Sequence, residues 1–355
     1  MSSGLPQEVL ECLQGLERDY SDFERIERGG CGYLWFARNR ISQLEVAIKF
    51  YSGETGERRH DEPKLLSQIQ SPNVLQIYEA RDVSQDWAYF VTPRCRGGDL
   101  DDLIKSRPSV HESIDTVLGI SHGVSAIHSM GMVHRDLKPG NIVLYGQVPR
   151  IADFGTVRVL EQGSSVTTAS QHSGLYRPPE SFATGQYSRA GDVYQIGLVA
   201  YQLLGGVLSY DGRDYLSVRE RRAYDAIQDH VDQCVFVNEA IQRKAENRTL
   251  ADFLSLPPWV TGAAKRVLRQ MMDPDPSQRT ASMGDVAAAM SKLRGACSNW
   301  RFVGDVARLS KEAKVVEIRP TATGEYEAFQ QGNGTFRRVP GMRRSTLAEL
   351  VRSCS

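Results

Sequence analysis

The chain has 355 residues, 41% of them hydrophobic and 24% charged, which suits a globular protein with room for one large two-part domain and a small addition. Lys plus Arg and Asp plus Glu stand at 43 each, so no global attraction to nucleic acid or an acidic membrane is expected. The six cysteines are scattered without a Cys-x-x-Cys pair, and the seven histidines lack ligand spacing. This argues against a disulfide framework or a zinc site and for reduced thiols. The first eight residues lack the basic and apolar blocks of a signal peptide. The most apolar run, 193–208, is broken by Gln195, Gly197, Gln202, Gly205 and Gly206; it is too short to span a bilayer and is expected to be a buried helix. A cytoplasmic location is expected.

In chain order, residues 5–17 carry Leu5, Val9, Leu10, Leu13 and Leu16 at the spacing of an amphipathic helix. From Tyr20 the pattern turns to strands at 23–26, 33–39, 45–51, 75–81 and 87–92, separated by Gly, Asn, Ser and Asp turns. One helix is expected among them, at 64–70. Beyond Gly97-Gly98 the chain reads as helical: 99–105, 113–130, 192–205, a charged run around 217–247, 263–272 and 283–294. After Ala296, strands are expected at 315–319 and 325–330, a turn at Gly332-Asn333-Gly334, and a helix at 346–352. Trp300, Phe302, Tyr326, Phe329 and Phe336 mark this tail as ordered rather than a linker.

The most specific stretch is His134-Arg135-Asp136-Leu137-Lys138-Pro139-Gly140-Asn141, followed by Asp153-Phe154-Gly155. Its spacing lets one carboxylate orient a hydroxyl nucleophile while the other residues hold metal and phosphate, the main needs of phosphoryl transfer. These residues resemble the eukaryotic-type (Hanks-type) protein kinases, and Asp-Leu-Lys-Pro-x-Asn resembles the serine/threonine branch. The resemblance covers roughly residues 20–294. It implies an α+β, bilobal protein-kinase fold, with an antiparallel-sheet N-lobe bearing one main helix and a larger, mostly helical C-lobe. The expected organisation is a helical segment at 1–19, a kinase domain at 20–294 (N-lobe 20–92, hinge 93–96, C-lobe 97–294), and a small α/β accessory module at 295–355.

The resemblance also assigns roles. Asp136 would orient the substrate hydroxyl, Lys138 would neutralise the γ-phosphate, and Asn141 and Asp153 would hold Mg2+. Lys49, in Val46-Ala47-Ile48-Lys49, would reach the ATP phosphates. Glu62 would hold it, with Glu57 as the alternative. Glu27-Arg28-Gly29-Gly30-Cys31-Gly32 resembles the glycine-rich loop, although Glu27 replaces its first glycine and only Gly29 and Gly32 match the later two. Leu34, Ala47 and Val143 would sandwich adenine, Pro93 and Cys95 would meet its edge, and Asp99 would meet the ribose. Thr92 falls at the gatekeeper position. Ser173 to Glu180 resembles the end of an activation segment, and Glu180 would pair with Arg279.

Pro63, tolerated only in a first turn, implies a short helix starting at Asp61 or Glu62. Many members that favour basic substrates carry glutamate between the proline and asparagine of the catalytic loop. Gly140 stands there instead, so no strong demand for arginine upstream of the acceptor is expected. The implied function is ATP- and Mg2+-dependent phosphorylation of serine or threonine on protein substrates, with a pseudokinase scaffold as the alternative. A regulatory partner for 295–355 is the remaining expectation.

Overall fold

The computed structural model describes residues 4–26, 32–52, 61–161, 163–168, 174–311, 314–332 and 334–354. It divides into two compact units, Met1–Asp99 with Asn141–Val157, and Leu100–Gly140 with Arg158–Ser355.

The first unit opens with helix α1 (Gln7–Leu16) and strands β1 (Tyr20–Ile26), β2 (Tyr33–Asn39) and β3 (Glu45–Ser52), continuing through α2 (Asp61–Gln68), β4 (Glu79–Asp82) and β5 (Trp87–Pro93). The strands form one antiparallel sheet in the order β1-β2-β3-β5-β4. Successive side chains along a strand point to opposite faces. On one face Trp35, Ala37, Val46, Ile48, Phe50, Tyr89 and Val91 form a core with Val9 and Leu16 of α1. The intervening residues, Leu34, Ala47, Lys49, Phe90 and Thr92, line up on the other face, with Leu34 opposite Lys49 and Ala47 opposite Thr92. Helix α1 thus covers the face turned away from Lys49.

The chain then enters the second unit with α3 (Leu100–Lys105), α4 (Val110–Ser129) and β6 (Met132–Val133), and returns to the first for the hairpin β7 (Ile142–Tyr145) and β8 (Val148–Ile151). The rest of the second unit begins with β9 (Arg158–Val159), β10 (Thr167–Thr168), α5 (Pro179–Thr184), β11 (Gln186–Tyr187) and α6 (Arg189–Leu203). It continues with α7 (Val218–Ala226), α8 (His230–Glu246), α9 (Gly262–Met271) and α10 (Met283–Ala296). Helix α6, from the most apolar run, is buried on every side from Gly191 to Leu203, as expected of a helix apolar all round. Helix α4 starts in a capping box, Ser109 with Glu112, which satisfies two N-terminal backbone donors.

The chain ends in a second antiparallel sheet, β12 (Asn299–Val303), β13 (Val306–Lys311), β14 (Lys314–Pro320), β15 (Tyr326–Gly332) and β16 (Thr335–Arg344), followed by α11 (Leu347–Cys354). This sheet packs on the helices before it. Trp300 is 1% exposed, and its ring stacks on Trp259 at 5.6 Å with 9° between planes. The carbonyl of Cys297 lies 2.8 Å from His111 Nε2, and the Asn299 side chain accepts from the His111 backbone N–H at 3.0 Å.

Three expectations from sequence change. Strand 75–81 shrinks to Glu79–Asp82, because Leu75 donates its N–H to the Ile151 carbonyl and Val74 bridges Ile151, both outside the main sheet. The tail holds five strands rather than two. The missed hairpin β12–β13 turns at Gly304, φ +59, and Gly304-Asp305 between alternating residues was an available turn signal. The helix expected at 64–70 runs from Asp61 to Gln68, starting where the Pro63 reading puts it and ending two residues earlier than the pattern suggested. The five cysteines among the described residues are free thiols. Among those residues no helix is long and apolar enough to cross a membrane.

Candidate active site

In the first unit, strand β3 delivers Lys49 between two carboxylates. Its Nζ donates to Glu62 Oε1 at 2.9 Å and Oε2 at 3.0 Å, and lies 3.9 Å from Asp153 Oδ1. The ammonium also stands 5.6 Å from the Phe90 ring centroid, a distance at which the ring face attracts a cation. Glu62 occupies the second position of α2, where Pro63 confines it, and reaches Lys49; Glu57, the alternative, lies outside the described residues. Asp153 adopts the left-handed region, φ +58, and its side chain is 48% exposed. Asn141 accepts at its backbone carbonyl from Ala152 N–H at 2.9 Å, so the β7–β8 hairpin closes with Asn141 and Asp153 at its two ends. A carboxylate and an amide oxygen are the hard donors that Mg2+ prefers, so these residues fit that ion.

Other expected nucleotide residues lie in the same unit. Gly32, at φ +108, packs so closely on the Phe50 carbonyl that an added Cβ would collide with it. Glu27 and Gly29 lie outside the described residues. Beyond β5, Arg94 donates its N–H to the Glu45 carbonyl at 3.0 Å, and the Arg96 guanidinium pairs with the Glu45 carboxylate. Burial pushes the Cys95 thiol up to about 11. Asp99 bridges Val143 in antiparallel fashion, and the Gly97 and Leu144 backbones bond at 3.1 Å; together these bring the expected ribose and adenine residues side by side.

In the second unit, the loop after β6 carries Asp136 and Lys138. Asp136 is 3% exposed, and Lys138 Nζ donates to its Oδ2 at 2.8 Å. Asp192, fully buried, holds this loop, with its two oxygens accepting the backbone N–H groups of His134 and Arg135, each at 3.0 Å. His128 Nε2 lies 2.7 Å away, and the Tyr187 hydroxyl donates at 2.9 Å. Burial alone would raise the Asp192 carboxyl, but the bonds to His128 and His134 outweigh it and hold it below the usual carboxylate range. Gln195 adds a second clamp, accepting from Leu137 N–H at 2.8 Å and donating to the Arg135 carbonyl at 3.2 Å. Sequence alone gave no sign of the Tyr187 and Gln195 roles. The clamps fix a strained backbone, with Arg135 at φ +73.

Further along, Glu180 receives Arg279 in two parallel bonds of 2.7 and 2.6 Å, and the Arg279 side chain is fully buried. Ser170 and Ser173 lie outside the described residues.

An antiparallel sheet with one helix at the lysine, a mostly helical second unit and this catalytic-type loop define the protein-kinase class. The chain belongs to the protein kinase family, since a profile described as "Protein kinase domain" matches residues 20–290. A serine/threonine-protein kinase, drp72, of Corynebacterium efficiens is 27% identical over 295 residues, 78% of this chain and 51% of that protein. The serine/threonine-protein kinase ATG1a of Arabidopsis thaliana is 30% identical over 211 residues, 56% of this chain and 33% of the relative. The serine/threonine-protein kinase PknA of Corynebacterium glutamicum is 30% identical over 212 residues, 54% and 44%. The chain thus spans about half or less of the length of these relatives.

Proposed function

We propose that this chain is a serine/threonine protein kinase that transfers the γ-phosphoryl group of ATP to hydroxyls of protein substrates. The observation that carries the reading is Lys49, held by Glu62 at 2.9 Å and lying 3.9 Å from Asp153. A cation fixed between carboxylates on a mostly apolar sheet face suits a phosphate-binding role. Lys49 holds the α- and β-phosphates, Gly29 and Gly32 let backbone approach the phosphates, and Leu34, Ala47 and Val143 enclose adenine. Pro93 and Cys95 meet its edge through backbone groups, and Asp99 meets the ribose. Asn141 and Asp153 hold Mg2+, which when bound neutralises charge on the phosphate oxygens.

Asp136 orients the substrate hydroxyl and accepts its proton as the new oxygen–phosphorus bond forms and the bond to the departing ADP oxygen breaks. Lys138, already 2.8 Å from Asp136, neutralises the phosphoryl group in transit. The proposed organisation is a helical segment at 1–19, a kinase domain at 20–294 and an accessory module at 295–355 that takes a regulatory partner, in a cytoplasmic protein. An assay with Mg2+ and labelled ATP, comparing wild type with Asp136→Asn, tests the reading. Transfer is expected in wild type and a loss of hundreds-fold or more in the variant. Wild-type nucleotide binding without transfer would instead identify a scaffold.

A further inference from the structure

The terminal sheet presents one face to α11, and the helix covers only part of it. Paired residues of an antiparallel sheet share a face, and alternate residues along a strand return to it. The register sets Leu309 opposite Val316 and Lys311 opposite Lys314, with Ala328 of β15 on the same face. Helix α11 packs against β14, β15 and β16. Its last turn meets this face at a cavity of about 460 Å³, whose apolar wall is Leu309, Val316, Ala328, Val339, Met342 and Cys354. Leu309 and Ala328 are 2% and 0% exposed, whereas Val316, Val339 and Met342 stay partly exposed. The side chains of the fold itself thus leave the wall open. A concavity of roughly 300–1,000 Å³ with mostly apolar walls and a few polar groups is the usual form of a small-ligand site.

Lys311 and Lys314 also line this cavity, one repeat beyond Leu309 and Val316, about 7 Å along the strands. Like charges directly opposite each other on paired strands are destabilising. Among the described residues, neither lysine has a carboxylate within ion-pair distance, whereas Arg308 and Arg319 of the same strands both hold Glu317. Glu312 and Ala313, between the lysines, lie outside the described residues. Burial pushes the Cys354 thiol up, so it supplies no negative charge near neutrality. An anion between the two ammonium groups would replace their repulsion by attraction.

We propose that this cavity binds a free acyl carboxylate, with its chain along Leu309, Val316 and Ala328 and its carboxylate between Lys311 and Lys314. Binding there is independent of the kinase reading and gives the accessory module a small-molecule ligand. The apolar residues line a concavity rather than project from the surface, which suits one inserted chain and not a bilayer.

Calorimetric titration of the full chain with hexanoate, octanoate and decanoate, and with 1-octanol as the uncharged counterpart, tests this site. Affinity is expected to rise about fourfold for each added CH2 while the cavity fills. Octanoate should bind about fivefold or more tighter than 1-octanol. Lys311→Gln with Lys314→Gln, both exposed positions, should bring octanoate down to the level of 1-octanol and leave 1-octanol unchanged. Val339→Trp, which fills the cavity, should weaken acid and alcohol alike. Wild type that binds no acid, or binds all chain lengths equally, overturns the proposal. So does octanoate binding that survives both the lysine double variant and Val339→Trp, which would mark adsorption elsewhere. Binding to vesicles of phosphatidylcholine with phosphatidylglycerol, without binding of the free acids, would assign this face to a membrane and also overturn it. Phosphoryl transfer plays no part in the readout, so failure of the kinase reading would leave this result untouched.

Discussion

Arg135 Nη1 donates to the Thr168 carbonyl at 2.5 Å and stands 3.4 Å from the Thr168 hydroxyl. The guanidinium of the catalytic loop thus reaches directly to the segment that carries the hydroxyls of Ser164, Ser165, Thr167 and Thr168. Burial, followed by the charge of Arg158, lowers the Arg135 guanidinium to about 10. Both effects make an added anion at this point favourable.

Phosphate on Thr168 is therefore expected to raise activity by locking onto Arg135 through charge-assisted, often bidentate bonds. Mass spectrometry after incubation with ATP should find it there. Thr168→Ala should slow transfer to an exogenous substrate by roughly tenfold, the equivalent of one charged hydrogen bond. Full activity in Thr167→Ala with Thr168→Ala would mean that the segment orders without phosphate.

Lys49 and Glu62 should differ in weight. Lys49→Met removes the group proposed to meet the phosphates and is expected to lower kcat/KM by hundreds-fold or more. Glu62→Gln keeps an oxygen that can accept from Lys49, so its cost should be smaller, about tenfold. Steady-state kinetics on both variants checks the order, and an equal loss would show that the charge of Glu62, not its position, matters.

Asp192 should make the fold acid-sensitive. Its folded carboxyl is held below the unfolded value of about 3.9. Its stabilising contribution is therefore present above that value and is lost as pH falls through the folded one. Asp192→Asn is expected to cost about 3–5 kcal/mol near neutrality, as for one partner removed from a buried charged network. Melting curves of the two proteins should converge as pH drops below about 4, and a gap that stays constant there would remove the carboxylate from the explanation.

Trp300→Ala should destabilise the helical unit and not only the terminal sheet. Trp300 is 1% exposed and stacked on Trp259, and emptying such a site costs about 3–5 kcal/mol. Denaturant unfolding followed at probes in α6 and in the terminal sheet should shift together. A shift confined to the sheet would show that residues 295–355 unfold on their own.

Much of this was written in the local sequence. The 134–141 and 153–155 motifs, the Val-Ala-Ile-Lys strand and the Glu180–Arg279 pair depend on residue identity at fixed spacing, and alternation or helical period marked most elements around them. Pro63 alone told where α2 could begin, because its ring forbids a deeper place. Tertiary structure decided what depends on partners distant in the chain. Residues 75–78 look like a strand, yet Leu75 gives its backbone hydrogen bond to Ile151, a choice that no local preference encodes. Tyr187, on β11, and Gln195, on α6, became props of the catalytic loop only because burial of both left their polar groups needing partners. Asp101 lies 39 positions before Gly140 in the chain, and its carboxylate comes to stand 3.6 Å from the place where a residue-140 side chain would begin. A glycine in a motif shows that room exists, and only folding determines which distant side chain faces that room.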